Sequence, residues 1–242
     1  MRRVMFAVVI ALIIIIGTGV YLKGYDLRSP AQSKKKPTGQ EQAPQKPPPE
    51  KIIEPPNDFV IIQEYIPSVR VELIYFTENN FTGKRLYDSP VAYLRRGTAD
   101  NLKNAADEVA ARGYRLKVWD AYRPPRIQFK MWEFVPDARF VADPHGGYSY
   151  HSRGCAVDLT LIDQDGKELD MPTGFDDFTP KADRDYSDVS AVQGANAGYL
   201  EKVMVRNGFT SIRTEWWHFV DREKEIYGVA EDVYLEDTVP RY

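Results

Sequence analysis

Eight prolines fall within the thirty residues from Ser29 to Asp58, and this stretch decides where a folded body can lie. Its other residues are mostly Lys, Gln, Glu and Ser, too polar to bury enough apolar surface to offset the entropy of ordering. It therefore reads as an extended tether. The chain divides into residues 1–28, a linker at 29–58, and a domain at 59–242, whose 184 residues suffice to bury a core. Residues 1–58 carry nine Lys/Arg against five Asp/Glu, a net of +4, whereas 59–242 carry 23 against 30, a net of −7. A domain of that sign is a poor partner for nucleic acid. The single cysteine, Cys155, excludes an intrachain disulfide and a Cys-rich zinc module, so burial alone must hold the domain together.

Val4 to Leu22 is a run of nineteen uncharged residues preceded by Arg2 and Arg3. That is close to the ~20 residues that cross a bilayer and longer than the apolar core of a cleaved signal, for which Gly17-Thr18-Gly19-Val20 is also a poor cleavage site. The expectation is an uncleaved membrane anchor, with a signal segment as the alternative. Lys23, Arg28 and Lys34 to Lys36 place more positive charge on the far flank than Arg2 and Arg3 place on the near one, which opposes export under the positive-inside rule.

Within the domain, Phe59 to Phe76 reads as extended segments ending at the turn Asn79-Asn80-Phe81-Thr82-Gly83. Thr98 or Asp100 can cap a helix with Leu102, Ala105, Ala106 and Val109 on one face, stopped by Gly113. A strand over Leu116 to Ala121 follows. Pro124 and Pro125 then open a second helix bearing Ile127, Met131 and Phe134. Ala156 to Ile162 is β-rich, with Asp158 and Thr160 on one face and Val157, Leu159 and Leu161 on the other. Residues 163–195 read as loops. Leu200, Val203 and Met204 mark a third helix ending at Gly208, and Thr214 to Val220 returns as a strand. Strands and helices mixed irregularly predict an α+β fold with a mostly antiparallel central sheet flanked by helices.

The chain has three histidines: His145, His151 and His218. His151 stands in Ser149-Tyr150-His151-Ser152-Arg153-Gly154-Cys155-Ala156-Val157-Asp158, where Gly154 permits a tight backbone. His218 closes Glu215-Trp216-Trp217-His218. Strict strand alternation puts Glu215 and His218 on opposite faces, so a shared site requires a bulge or turn. If they converge, His151, Asp158 and His218 form a set of N and O donors with a fourth position left for water, the composition of a catalytic zinc site. A metal-activated water would then give up its proton to Glu215 as general base and acid. Arg123 could hold the oxyanion, where such stabilisation is worth ~3–4 kcal/mol. Alone, each fragment also fits a plainer reading: Asp158 as an arginine partner, Glu-x-x-His as a salt-bridged turn, Arg123 as a surface or Asp-paired arginine, and the two tryptophans as core filling.

The ten-residue Ser-x-His-x-x-Gly-x-Ala-x-Asp pattern together with Glu215-Trp-Trp-His218 resembles the D-alanyl-D-alanine dipeptidases, the VanX type of zinc peptidase. Tyr75 with Asn80-Phe81-Thr82-Gly83, Asp120-Ala-Tyr-Arg123-Pro124, Asp158-Leu-Thr-Leu and Met171-Pro-Thr-Gly-Phe175-Asp176 agree, so the likeness runs from about residue 60 to 225. The resemblance implies a hedgehog/DD-peptidase-like fold and one Zn2+ per chain on His151, Asp158 and His218. It makes Glu215 and Arg123 catalytic, and Asp176, Ser149 and Tyr75 substrate-binding, Asp176 for the substrate ammonium. The implied substrate is the D-Ala-D-Ala dipeptide. The alternatives are an exported D,D- or L,D-carboxypeptidase trimming peptidoglycan stems, and an inactive membrane-tethered wall-binding module, which the intact ligand set and Glu215 oppose. No protein partner is indicated. The expected placement is membrane-anchored with an extracytoplasmic domain facing the periplasm or wall, with secretion after cleavage or a cytoplasm-facing domain as alternatives. Cys155, where serine is common in the motif, reads as a small buried residue, and His145 as a solvated loop histidine.

Overall fold

A computed structural model describes residues 59–147 and 149–231. The predicted anchor, Val4 to Leu22, and the proline-rich tether lie outside the described residues. Among those described, no helix is long and apolar enough to cross a membrane.

The first segment is less extended than predicted: β1 (Phe59–Ile61) runs directly into a one-turn helix, α1 (Ile62–Tyr65), then β2 (Arg70–Val71) and a 3-10 turn at Ile74–Phe76. After β3 (Tyr93–Arg95) comes α2 (Arg96–Ala110), which starts before either predicted cap. Thr98 does not cap it; its hydroxyl is buried and donates to Asp221 Oδ2 at 2.7 Å. β4 (Arg115–Asp120) and α3 (Pro125–Phe134) follow as predicted, with proline in the first turn of α3.

β5 (Ala156–Ile162) is buried along all seven residues. Val157, Leu159 and Leu161 join the main core with Leu102, Val109, Leu200 and Val203, which leaves Asp158 on the opposite face. α4 (Ala191–Arg206) begins inside the stretch read as loops, because Ser190 and Gln193 form a reciprocal capping box. β6 (Phe209–Ser211) and β7 (His218–Asp221) complete the chain of strands.

Strands β2-β4-β5-β7-β6 form a five-stranded sheet, while β1 and β3 pair separately. β4, β5, β7 and β6 are mutually antiparallel neighbours, but β2 lies parallel to β4, with Arg70 opposite Lys117 and Val71 opposite Val118. The sheet is therefore mixed, which corrects the mostly antiparallel expectation. The long connection through β3 and α2 supplies the crossover that a parallel neighbour requires.

The predicted strand over Thr214 to Val220 also starts late: Glu215 to Trp217 belongs to a turn, and β7 begins only at His218. Trp216 and Trp217 are buried and meet edge to face at 5.5 Å. Trp216 also packs on Trp119 and donates from Nε1 to Thr173 Oγ1 at 2.9 Å. Core filling is their main role, as expected, although Trp217 also reaches the pocket wall.

Candidate active site

Asp158 sits in β5 opposite Asp120 of β4 on one side and His218 of β7 on the other, so the sheet register alone places three polar residues in a row. His151 reaches the same point from a 3-10 turn, Tyr150–Arg153, whose first residue is preceded by Ser149 accepting from the His151 backbone N–H at 3.3 Å. Gly154 closes that turn at φ 74°, and a Cβ there would stand 2.3 Å from the Phe59 ring. Left-handed backbone and lack of space both demand glycine.

The ligand-type atoms converge. His151 Nε2 lies 3.2 Å from His218 Nδ1 and 3.2 Å from Asp158 Oδ2, and His218 Nδ1 lies 2.9 Å from Asp158 Oδ1. Bonds of ~2.0–2.2 Å to a tetrahedral zinc set ligand edges of about 3.3–3.6 Å, so the triangle fits such an ion after a shift of tenths of an ångström. His151 Nδ1 stands 2.7 Å from the Ala121 carbonyl oxygen. A carbonyl only accepts, so Nδ1 carries the proton and Nε2 offers its lone pair. Burial alone would raise the Asp158 carboxyl, but the two imidazoles outweigh it and hold it well below the usual carboxylate range. Among the described residues this is the one cluster of three or more His, Cys, Asp or Glu side chains with metal-binding spacing.

The turn required by the Glu215-x-x-His218 spacing is present. The His218 N–H points back to the Glu215 carbonyl at 3.4 Å, and Glu215 Oε2 stands 3.8 Å from His218 Nδ1. Arg184 staples the turn from behind, donating from Nε to Ile212 O at 2.7 Å and from Nη2 to His218 O at 3.2 Å. Burial raises the Glu215 carboxyl to about 7, helped by Asp158 and Asp176 and opposed by His218. That value suits a group that must take and release a proton near neutrality.

Arg123 is buried at the end of β4, with Nη2 3.9 Å from Asp158 Oδ2 and its guanidinium 5.4 Å from the Tyr75 ring centre. Asp120 accepts from its Nε at 3.0 Å and its Nη2 at 2.6 Å, and Gln128 accepts from Nη1 at 2.8 Å. Asp120 is itself held by the Tyr87 hydroxyl at 2.5 Å and the Ala121 N–H at 2.9 Å. The arginine is thus a fixed charge, buried instead of at the surface and Asp-paired as the other plain reading had it.

Across the pocket, the Tyr75 hydroxyl donates to Asp176 Oδ2 at 2.8 Å. Asp176 adopts φ 56°, a left-handed conformation that a short polar side chain tolerates. Burial pushes its carboxyl up to about 7, against the Tyr75 hydrogen bond, which lowers it.

Tyr75, Arg123, Ser149, His151, Asp158, Asp176, Glu215 and His218, all eight residues singled out in the sequence, line one cavity of about 280 Å³. His145 stays outside it, exposed and 3.0 Å from Asp143 Oδ1, the solvated loop residue expected. Cys155 is buried, its S–H faces the Tyr150 carbonyl at 3.5 Å, and burial pushes the thiol up to about 12, so it remains a neutral packing residue. The sequence reading assigned nothing to Asp120, Gln128, Tyr87 or Arg184. Asp120, three residues before Arg123, was the one with a local signal; the others come into place only through the tertiary fold.

Residues 56–239 match the family described as D-ala-D-ala dipeptidase. A D-alanyl-D-alanine dipeptidase of Escherichia coli (strain K12) is 33% identical over 177 residues, covering 73% of this chain and 91% of that protein. Those of Streptomyces coelicolor and Enterococcus faecium are 34% and 32% identical over 188 residues, each spanning 69% of this chain and 93% and 92% of their own. With a metal-type triad, a carboxylate and a buried arginine around one cavity, and with this identity across the whole described body, the chain is a metallopeptidase belonging to the D-alanyl-D-alanine dipeptidase family.

Proposed function

We propose that the protein hydrolyses the D-Ala-D-Ala dipeptide with one Zn2+ held by His151 Nε2, Asp158 and His218 Nδ1. The observation that carries this is the convergence of the three ligand-type atoms beside Glu215, Arg123 and Asp176 in one small cavity. When bound, the zinc polarises the scissile carbonyl and lowers the pKa of water. One carboxylate among the three ligands leaves the site net positive.

The chain's own groups do the rest. Asp176 accepts the substrate ammonium, which in turn favours its ionised form. Tyr75 holds Asp176 in place, and Ser149 lies beside the first imidazole within reach of the dipeptide. Glu215 takes the proton of the attacking water and passes it to the leaving amine. Arg123, locked by Asp120, presents its charge to the carbonyl oxygen as it becomes an oxyanion; such preorganised charge costs no reorientation at the moment of reaction. The carboxylate of Asp176 on the cavity wall, placed to receive an ammonium group, favours a free dipeptide over a wall stem.

Assaying the zinc-loaded protein on D-Ala-D-Ala and on a pentapeptide stem ending in D-Ala-D-Ala tests the reading. Release of free D-alanine from the dipeptide is expected. An uncleaved dipeptide beside a trimmed stem would replace the proposal with a D,D-carboxypeptidase. The Val4 to Leu22 run supports, as part of the same proposal, a membrane-held enzyme, and the length of the proline-rich tether favours a domain facing away from the cytoplasm; protease digestion of cells stripped of any outer membrane checks it, and complete protection would overturn it.

A further inference from the structure

Part of the cavity wall is the segment Ala138 to Ala142, which has no helix or strand of its own. Gln128, on α3 and completely buried, touches both this wall and the catalytic arginine. Its Oε1 accepts from Arg123 Nη1 at 2.8 Å, and its Nε2 donates to the Ala142 carbonyl at 2.7 Å. The two contacts fix the amide orientation, because a guanidinium offers only donors and a carbonyl only acceptors. A side chain that is both acceptor and donor at this length is needed; methionine supplies neither group, and glutamate supplies only the acceptor. Asp120 grips Arg123 through Nε and Nη2, so Gln128 holds the remaining edge of the guanidinium plane.

We propose that Gln128 is a positioning residue that couples the pocket wall to Arg123. A ligand large enough to push Ala142 outward draws the amide with it and tilts the guanidinium away from the reacting carbonyl. The enzyme thereby turns over only ligands that leave the wall in place. This is selectivity through kcat as well as through fit. The inference rests on the reading of Arg123 as the group that stabilises the tetrahedral state.

The test is a double-mutant cycle on zinc-loaded full-length protein with D-Ala-D-Ala and with a bulkier D,D-dipeptide, with zinc content measured for every variant. Gln128→Met should lower kcat on the order of 10²-fold, the size expected for a displacement near 1 Å at a reacting group. In an Arg123→Ala background the same change should have little further effect. Gln128→Glu keeps the acceptor for Arg123 and loses the donor to Ala142, so kcat on D-Ala-D-Ala should stay above that of Gln128→Met, while the fall in kcat from D-Ala-D-Ala to a bulkier D,D-dipeptide should shrink. Equal losses from Gln128→Met in both backgrounds, or an undiminished kcat gap between the two dipeptides in Gln128→Glu, would overturn the coupling. An Arg123→Ala protein of full activity would instead overturn the role of the arginine itself. Should Gln128→Met fail to fold, the kcat ratio of the two dipeptides in Gln128→Glu decides the matter alone.

Discussion

The Tyr75 hydroxyl donates to Asp176 Oδ2 at 2.8 Å although the two residues are 101 positions apart. The bond favours the ionised carboxylate against the burial that raises Asp176 to about 7. Tyr75→Phe removes that support, so the Asp176 pKa rises. A hydrogen bond to a charged group is worth ~1.5–3 kcal/mol, or about one to two pH units. The acid limb of 1/KM for D-Ala-D-Ala should move to higher pH by that amount, while kcat at alkaline pH changes little. A pH profile with an unmoved limb would remove Asp176 as the ammonium site.

Glu215→Gln keeps the shape of the side chain but cannot accept a proton. Because Glu215 is raised to about 7 by burial and acts as a base when ionised, the wild-type rate should fall as pH drops through that region. The variant should lose ~10²–10⁴-fold in kcat together with this acid limb, with bound zinc undiminished. Turnover near the wild-type level would reject the role.

His218→Ala removes one corner of the donor triangle, and Asp158→Asn removes its only anion. Both should lose stoichiometric zinc on dialysis, measured by metal analysis, and chelation should abolish turnover of the parent enzyme reversibly. Full zinc retention by His218→Ala would dissolve the proposed site.

Gly154→Ala forces a Cβ into left-handed backbone against the Phe59 ring, 2.3 Å away. Left-handed alanine costs ~1–2 kcal/mol before any clash, so urea unfolding should show a loss of at least that size. Because the turn carries His151, zinc affinity should fall as well. A variant as stable as the parent would show that the turn can be built another way.

Arg184→Leu frees the Ile212 and His218 carbonyls that hold the base-bearing turn. A fully buried carbonyl left without its donor costs ~1–3 kcal/mol, and these two, part-buried, should each cost less. Lower stability and weaker zinc retention are expected together; loss of stability with zinc affinity intact would mark Arg184 as a structural brace only.

Much of the architecture was legible locally. Apolar spacing placed α2, α3 and the end of α4, and alternation put Asp158 on the face away from Val157, Leu159 and Leu161. Local pattern failed where a long-range partner decided the outcome. β2 lies parallel to β4 because the chain between them is long enough to cross over, and two residues carry no directional signal. α4 begins at Ala191, ahead of its apolar spacing, because the Ser190 and Gln193 box caps it there. Thr98 looked like a cap, yet it serves Asp221 on the last strand.

By themselves the residues specified which side chains could do chemistry: two imidazoles, two or three carboxylates and an arginine, each beside a turn or strand signal strong enough to survive without context. Only the packed sheet decided that Asp120, Asp158 and His218 stand in register on neighbouring strands, that Glu215 turns to the same side as His218, and that Asp120 and Gln128 lock Arg123. The reason is physical: a side chain's type is a property of one position, whereas its direction, its burial and hence its proton affinity are set by groups dozens of residues distant that meet it only when the core closes.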